Sequence, residues 1–252
     1  MPDPVVCDLD GVVWLADTPI PGASDAVARL RAAGHDVAFV TNNSSAPRSV
    51  LEAKLAAQGI DATGAVIGSA EVTAALLEPG QRALVAGGPG LVEALEARGI
   101  EAVRNDGRDP GRVDAVVVGF HREFDYERLR VASTAVRAGA RLLASNDDAT
   151  YPTAEGPIPG GGSILAAVER ASGVAATVAG KPHRPMADLI RARLGPSGVV
   201  VGDRPDTDGA LATAMGWRVG LELSGVTLSA DGVEPPPELV AADLASLADL
   251  LL

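Results

Sequence analysis

The sequence predicts an α/β fold: a parallel sheet covered by helices, with a second α/β unit inserted into it. Three observations carry this reading. Short apolar runs alternate with Ala/Leu/Arg-rich stretches of helical period, the pattern of a parallel sheet with both faces covered. The alternation breaks at Glu78-Pro79-Gly80 and then restarts. It returns to its first form late in the chain, where Gly198–Val201 is an uninterrupted apolar run ending in Gly202-Asp203.

Element by element, Val5–Asp8 reads as a strand and Ser24–Ala33 as a helix, with Ser24 as N-cap and Gly34 closing it. Val37–Thr41 is the next strand, and Ala46–Gln58 the next helix, stopped by Gly59. Ala65–Ile67 and a helix from Ala70 to Leu77 complete the first section. In the insert, Ala83–Ala86, Val113–Val118 and Arg141–Ala144 are strand candidates, while Gly90–Arg98, Tyr126–Ala138 and Ser163–Ser172 have helical spacing. The last section holds a helix near Pro185–Leu194, the strand Gly198–Val201, a helix Asp208–Met215, a strand Arg218–Gly220 and a helix near Ala245–Leu251. Pro235-Pro236-Pro237 reads as a rigid surface turn.

Composition narrows the function classes. A chain of 252 residues with 47% hydrophobic content has ample material for a buried core. Aromatics are only 3%, so that core is built from Ala, Val and Leu. A net charge of -12 argues against nucleic acid, whose phosphate backbone calls for a basic face. It leaves room for a phosphorylated small molecule, because a cation and a few donors reverse the field within one pocket. The single cysteine, Cys7, excludes an internal disulfide and fits a reducing cytoplasm. Its place before Asp8 suggests a redox switch, but a small hydrophobe in a core strand is the stronger reading. Met1 to Pro4 has no positive signal-peptide region, and no stretch has the length of a membrane span.

In open parallel sheets, ligands bind at the carboxyl ends of the strands. Four segments there carry unusual chemistry. Asp8-Leu9-Asp10-Gly11 ends the first strand with two carboxylates facing one way. Held close, they require a cation, a proton or a chemical role, although an Asp-rich loop that merely caps a strand is the competing reading. Thr41-Asn42-Asn43-Ser44-Ser45 offers a hydroxyl, two amides and free N–H groups before a helix, an anion cradle or else an N-cap with an Asx-turn. Gly180-Lys181-Pro182 pins a lysine in a loop, and Lys54 and Lys181 are the only two lysines. Gly202-Asp203-Arg204-Pro205-Asp206-Thr207-Asp208 crowds three carboxylates against one arginine. Acids at a helix N-terminus explain Asp206 and Asp208 better than Asp203. Asp8, Asp10 and Asp203 together suit Mg²⁺, while Thr41, Asn42 and Lys181 supply donors and a positive charge for a phosphoryl group.

These four ordered segments resemble the four motifs of the haloacid dehalogenase (HAD) superfamily phosphatases. Trp14, the Thr-Asn-Asn run and the Gly-Asp-Arg-x-Asp-Thr-Asp form are similar to the NagD-like branch. Ala144-Ser145-Asn146-Asp147-Asp148 and Pro159-Gly160-Gly161-Gly162-Ser163 also resemble cap segments of that group. Pro205 and Gly209 depart from bulkier residues in the fourth motif without replacing a chemical group. The resemblance implies a Rossmann-like HAD core, residues 1–79 and 179–252, with an inserted C2-type α/β cap, residues 80–178.

The resemblance also implies roles. Asp8 is the nucleophile and Asp10 the general acid/base. Thr41, Asn42, Asn43 and Lys181 bind phosphate, with Asn43 ordering Asp10 or the cap entrance. Mg²⁺ is held by Asp8, the Asp10 backbone carbonyl and Asp203, with Asp208 acting through water or by supporting the ligands. Asn146, Asp147 and Tyr151 are the cap residues expected to set substrate specificity, although ordinary cap packing explains Tyr151 equally well. Arg204 is expected to pair with nearby carboxylates; His183, two residues after Lys181, is either a leaving-group contact or, more commonly for a loop histidine, a solvated bystander, and His35 and His121 carry no case. The expected substrate is a small phosphorylated metabolite: glycerol 3-phosphate, phosphoglycolate or a sugar phosphate. A homodimer is compatible, because caps in this branch can mediate dimers. A phosphotransferase or mutase shares the aspartyl-phosphate, and a binding module that lost chemistry is disfavoured by the presence of Asp8 and Asp10. A nucleotide-binding dehydrogenase is disfavoured because Gly160–Gly162 does not follow the first strand.

Overall fold

The computed structural model describes residues 2–15, 18–151, 153 and 155–252. Met1 and, within the expected cap segment Asn146–Pro159, Pro152 and Ala154 lie outside the described residues. The chain divides into two compact units: Met1–Thr41 with Ser49–Ile67 and Lys181–Leu252, and Asn42–Arg48 with Gly68–Gly180.

The first unit is built on a six-stranded sheet in the order Leu239–Ala241, Arg218–Glu222, Val199–Gly202, Val5–Asp8, Val37–Thr41, Val66–Gly68. Val5–Asp8 runs parallel to both of its neighbours, and its four residues are buried. Strands covered on both faces read as continuous apolar runs, as Val5-Val6-Cys7 and Val199-Val200-Val201 do. Register places Val40 beside Asp8, Val201 beside Cys7, and Leu221 beside Gly202. Asp8, Thr41, Asp203 and Glu222 therefore leave the sheet at one edge.

The local differences from the sequence reading have physical causes. The first helix spans Ala23–Ala32 and is capped by Gly22 at φ 83°, so Ser24 is not its N-cap. The second helix begins only at Arg48, because Asn43 closes a turn by accepting from the Ser45 N–H at 3.1 Å. The expected helix Asp208–Met215 is preceded by a π-helical turn, Pro205–Gly209, and becomes α-helical at Ala210. Arg204 O accepts from the amides of Thr207, Asp208 and Gly209 in that wider turn. The strands Glu101–Arg104, Thr177–Val178 and Leu239–Ala241 were not anticipated; all three are sheet edges whose residues, apart from the buried Ala241, are exposed or half-buried.

The second unit carries a five-stranded parallel sheet, ordered Thr177–Val178, Arg141–Ala144, Ala115–Val118, Arg82–Ala86, Glu101–Arg104. Alternate residues feed two cores. Leu84 and Ala86 face Val131, Val136, Ile164 and Leu165, while Ala83 and Val85 face Leu91, Leu95 and Ile100. Ala70, Ala74 and Leu77 pack into the second of these, so residues 68–79 pack with this unit and Gly80, at φ 85°, turns within it. The segment 42–48 is held equally closely: a Cβ on Gly90 would stand 2.3 Å from Ala46 O. Among the described residues, no helix is long and apolar enough to cross a membrane.

Candidate active site

In the first unit, the central strand delivers Asp8 to a buried cluster of charge. Lys181 Nζ lies 2.7 Å from Asp8 Oδ1 and 2.7 Å from Asp208 Oδ1, with the lysine only 3% exposed. The second oxygen of Asp208 accepts from the Arg204 amide at 3.2 Å. Asp203 Oδ2 accepts from the Val226 amide at 2.5 Å, whereas its Oδ1 is buried without a hydrogen-bond partner among the described residues. Carboxylate oxygens of Asp8, Asp203 and Asp208 all lie within 4.8 Å of one another. Two of these three carboxylates thus share one ammonium in a site shielded from water, and the third, Asp203, stands beside them.

That imbalance shows in proton affinity. Burial pushes the Asp8 carboxyl up to about 6 although Lys181 opposes the shift. Burial lifts Asp203 to about 6 against the Val226 N–H, and Asp208 to about 7 against Lys181. Burial disfavours the Lys181 cation, but Asp208 and Asp8 outweigh it and raise its pKa. The donors are hard oxygens, and the unpartnered Asp203 Oδ1 is the kind of atom a divalent cation satisfies. The residues therefore fit Mg²⁺.

Asp10 is half-buried two residues beyond Asp8, where its Oδ1 accepts from Trp14 Nε1 at 3.0 Å. Lys54 stands 4.3 Å over the Trp14 ring, so the second lysine supports the loop from outside. Gly11, at φ 89°, makes the turn possible, and a Cβ there would meet Asp203 Oδ2 at 2.4 Å. Thr41 is buried at the end of its strand. Arg204 pairs with Asp206 at 2.9 Å. Cys7 is fully buried, and burial pushes its thiol up, followed by the nearby Glu222 and Asp8 charges. His35 Nδ1 lies 2.7 Å from Asp3 O, and His183 is the N-cap residue of the helix Arg184–Leu194.

Asn42 and Asn43 fall in the second unit, with Asn146, Asp147 and Tyr151. Asn42 Nδ2 donates to Asp148 Oδ2 at 3.1 Å, and its carbonyl accepts from Asn146 Nδ2 and Ser69 Oγ. Asn146 is buried and also accepts from the Asp148 amide. Asn43 Nδ2 donates to Tyr151 OH at 3.4 Å, while the Tyr151 ring stacks on Phe120 with centroids 4.5 Å apart. Asp147 is exposed. The sequence reading did not single out Asp148, Phe120, Ser224 or Glu222. Of these, Glu222 carried a signal, because it is an acid at the carboxyl end of an apolar strand, as Asp8 is.

The four ordered segments match known families. A haloacid dehalogenase-like hydrolase model covers residues 5–101, and a HAD-hydrolase-like model covers residues 178–247. The D-glycerol 3-phosphate phosphatase of Mycobacterium tuberculosis is 38% identical over 255 residues, 97% of this chain and 70% of the relative. The chain belongs to the haloacid dehalogenase-like hydrolases. The crystal structure of the M. tuberculosis glycerol phosphate phosphatase with magnesium superposes with a TM-score of 0.87 at 37% identity, over 99% of this chain and 78% of that one. A solved structure described as a nagD protein gives 0.85 at 30% identity, over 96% and 95%. This HAD hydrolase is a phosphoric monoester hydrolase of the NagD-like branch, acting on a small phosphate substrate.

Proposed function

We propose that this HAD hydrolase is a Mg²⁺-dependent phosphatase that cleaves a small phosphorylated metabolite through an aspartyl-phosphate on Asp8. Glycerol 3-phosphate heads the substrates, with phosphoglycolate and sugar phosphates behind it. The carrying observation is the buried triad of Asp8, Lys181 and Asp208 beside the unpartnered oxygen of Asp203. The glycerol phosphate phosphatase names of the relatives support the substrate order.

In this reading, Asp8 Oδ attacks phosphorus as the ester P–O bond breaks, and Asp10 gives its proton to the departing alkoxide. Asp10 then takes a proton from water, which attacks the aspartyl-phosphate and releases inorganic phosphate with Asp8 restored. Thr41, Asn42, Asn43 and Lys181 stabilise the phosphoryl oxygens. Lys181 plays a second part, because its charge keeps Asp8 ionised despite burial. Asp8, the Asp10 carbonyl and Asp203 would hold Mg²⁺, with Asp208, whose two oxygens meet Lys181 and the Arg204 amide, supporting the site. Bound there, the cation neutralises the repulsion between a carboxylate and a phosphate dianion. The reading assigns catalysis to residues 1–79 and 179–252, and leaving-group choice to a cap of residues 80–178 that includes Asn146, Asp147 and Tyr151. A cytoplasmic setting and a homodimer belong to the same reading, and sizing chromatography tests the second.

Asp8→Asn tests the nucleophile. The variant is expected to release no phosphate from p-nitrophenyl phosphate or from any metabolite the wild type cleaves. Turnover comparable to wild type would sink the assignment. Ranking phosphorylated metabolites by kcat/KM names the substrate, and phosphoryl transfer to an added alcohol without net phosphate release would make the enzyme a transferase.

A further inference from the structure

Glu222 is a buried carboxyl that the mechanism above does not use. It ends the strand Arg218–Glu222 at the edge where Asp8 and Asp203 leave, and it is 0% exposed. Its Oε1 is buried with no hydrogen-bond partner among the described residues, and its Oε2 lies 3.3 Å from Ser224 Oγ. Ser224 Oγ donates to the Gly11 carbonyl at 2.8 Å. A hydroxyl has one proton, and a carbonyl only accepts, so the shorter contact commits that proton to Gly11. The remaining contact is a hydrogen bond only if the Glu222 carboxyl donates to Ser224.

We infer that Glu222 is a positioning residue that donates through Ser224 to Gly11, and so holds the loop Leu9–Trp14 that presents Asp10. Three further observations converge on the same few atoms. Gly11 packs against Asp203, where a Cβ would come within 2.4 Å of Oδ2, and a Cβ on Gly225 would come within 2.0 Å of the same oxygen. The Val226 amide donates to that oxygen. The segment Ser224–Val226 thus ties Glu222, Gly11 and Asp203 together. Burial, with Asp243, Asp203 and Asp8 nearby, also pushes the Glu222 carboxyl up to about 9, which agrees with a carboxyl that carries its proton. Neutral carboxylic acids serve as donors where burial makes ionisation costly.

The test reads both the loop and the chemistry. In the metal-free protein, Glu222→Leu is expected to speed hydrogen exchange at the Gly11–Trp14 amides. Its melting temperature should hold or rise, because an apolar side chain replaces a poorly partnered buried carboxyl. With Mg²⁺, kcat should fall about tenfold with KM little changed, the scale seen when residues supporting a site's ligands are removed. Glu222→Gln keeps an N–H donor and should behave as wild type in both readouts. Ser224→Ala should match Glu222→Leu, and the double variant should be no worse than either, as for two links of one chain. Wild-type exchange in Glu222→Leu or Ser224→Ala, a Gln variant as loose as the Leu variant, or additive losses in the double variant would each overturn the inference. If Glu222→Leu does not fold, Glu222→Gln and Ser224→Ala carry the test alone. The inference rests on placing Asp10 in the reaction, and the two fail separately: the exchange result stands whatever Asp8→Asn does to turnover.

Discussion

The two parallel sheets are made from the same parts and end in opposite chemistry. In the first, the strands Val5–Asp8, Val199–Gly202 and Arg218–Glu222 run into Asp8, Asp203 and Glu222, all buried, with Lys181 and Asp208 buried among the acids of that edge. In the second, Arg82–Ala86, Ala115–Val118 and Arg141–Ala144 run into Gly87, Gly119 and Ser145-Asn146. There the buried polar groups are neutral and partnered: Ser44 Oγ lies 2.7 Å from Ser145 Oγ, and Asn146 bonds Asn42 O at 2.8 Å. Such an edge packs by shape, and its half-buried acid, Asp148, accepts from the Asn42 amide. The first edge holds more negative charge than its own cation balances, and it becomes comfortable only with something else bound. The fold is common to both edges, and the capacity for chemistry lies in which edge keeps unbalanced charge out of water.

The largest effect that sharpens this comparison comes from Lys181→Met. The substitution leaves Asp8 and Asp208 buried without their shared partner, a change that costs about 3–5 kcal/mol where the charge persists. Asp8 then escapes by holding its proton, which removes the nucleophile, so kcat should fall by at least ~10²–10³, as when a charge-stabilising donor is lost. Ser145→Ala on the neutral edge should cost about 1–3 kcal/mol of stability for the Ser44 hydroxyl left behind, with kcat kept. Denaturant midpoints and phosphate release measured on both variants check the contrast. Equal effects on kcat would erase the distinction between the edges.

A second effect concerns stability against pH. Asp8, Asp203 and Asp208 have an ordinary pKa of 3.8 and are raised to about 6, 6 and 7. In the metal-free protein, the folded state therefore binds more protons than the unfolded chain between about pH 4 and 7. Their contribution is fully present below pH 4 and is lost as pH rises through 6 to 7. Mg²⁺ needs the carboxylates ionised, so it should stabilise more at pH 8 than at pH 5, by up to about 2.7 kcal/mol at a hundredfold excess over its dissociation constant. Melting curves at both pH values, with and without Mg²⁺, read this directly. An equal rise at both would mean that the acidic edge is not where the cation sits.

Much of the first edge was legible before the structure because each of its charges stands in an unusual place in the chain. Asp8 follows Val5-Val6-Cys7, Asp203 follows Val199-Val200-Val201-Gly202, and Lys181 is one of two lysines. Strand ends in an α/β protein share one edge, so three signals distant in sequence could be read as one place. Glu222 escaped notice because the strand reading stopped at Gly220, two residues short of the acid. Edge strands such as Glu101–Arg104 were missed because they bury little and so lack an apolar pattern. The neutral edge was harder to read for a related reason. Asp148 on Asn42, Tyr151 on Phe120, and the packing of residues 68–79 with the second sheet depend on tertiary approach, and no period in the sequence announces it.

The smallest effect tests whether the second unit touches the leaving group at all. Tyr151 presents two features: a ring stacked on Phe120 and a hydroxyl that accepts from Asn43 at 3.4 Å. Tyr151→Phe keeps the stack and removes a long hydrogen bond, so stability should change by less than ~1 kcal/mol. If the hydroxyl, or the Asn43 amide it orients, meets polar leaving groups, KM should rise a few-fold for glycerol 3-phosphate and stay unchanged for p-nitrophenyl phosphate, with kcat kept for both. Uniform kinetics across the two substrates would reduce Tyr151 to packing. A collapse of kcat for both would overturn the contrast itself, because a neutral, hydrogen-bonded edge would then be performing a step that only the charged edge is equipped to perform.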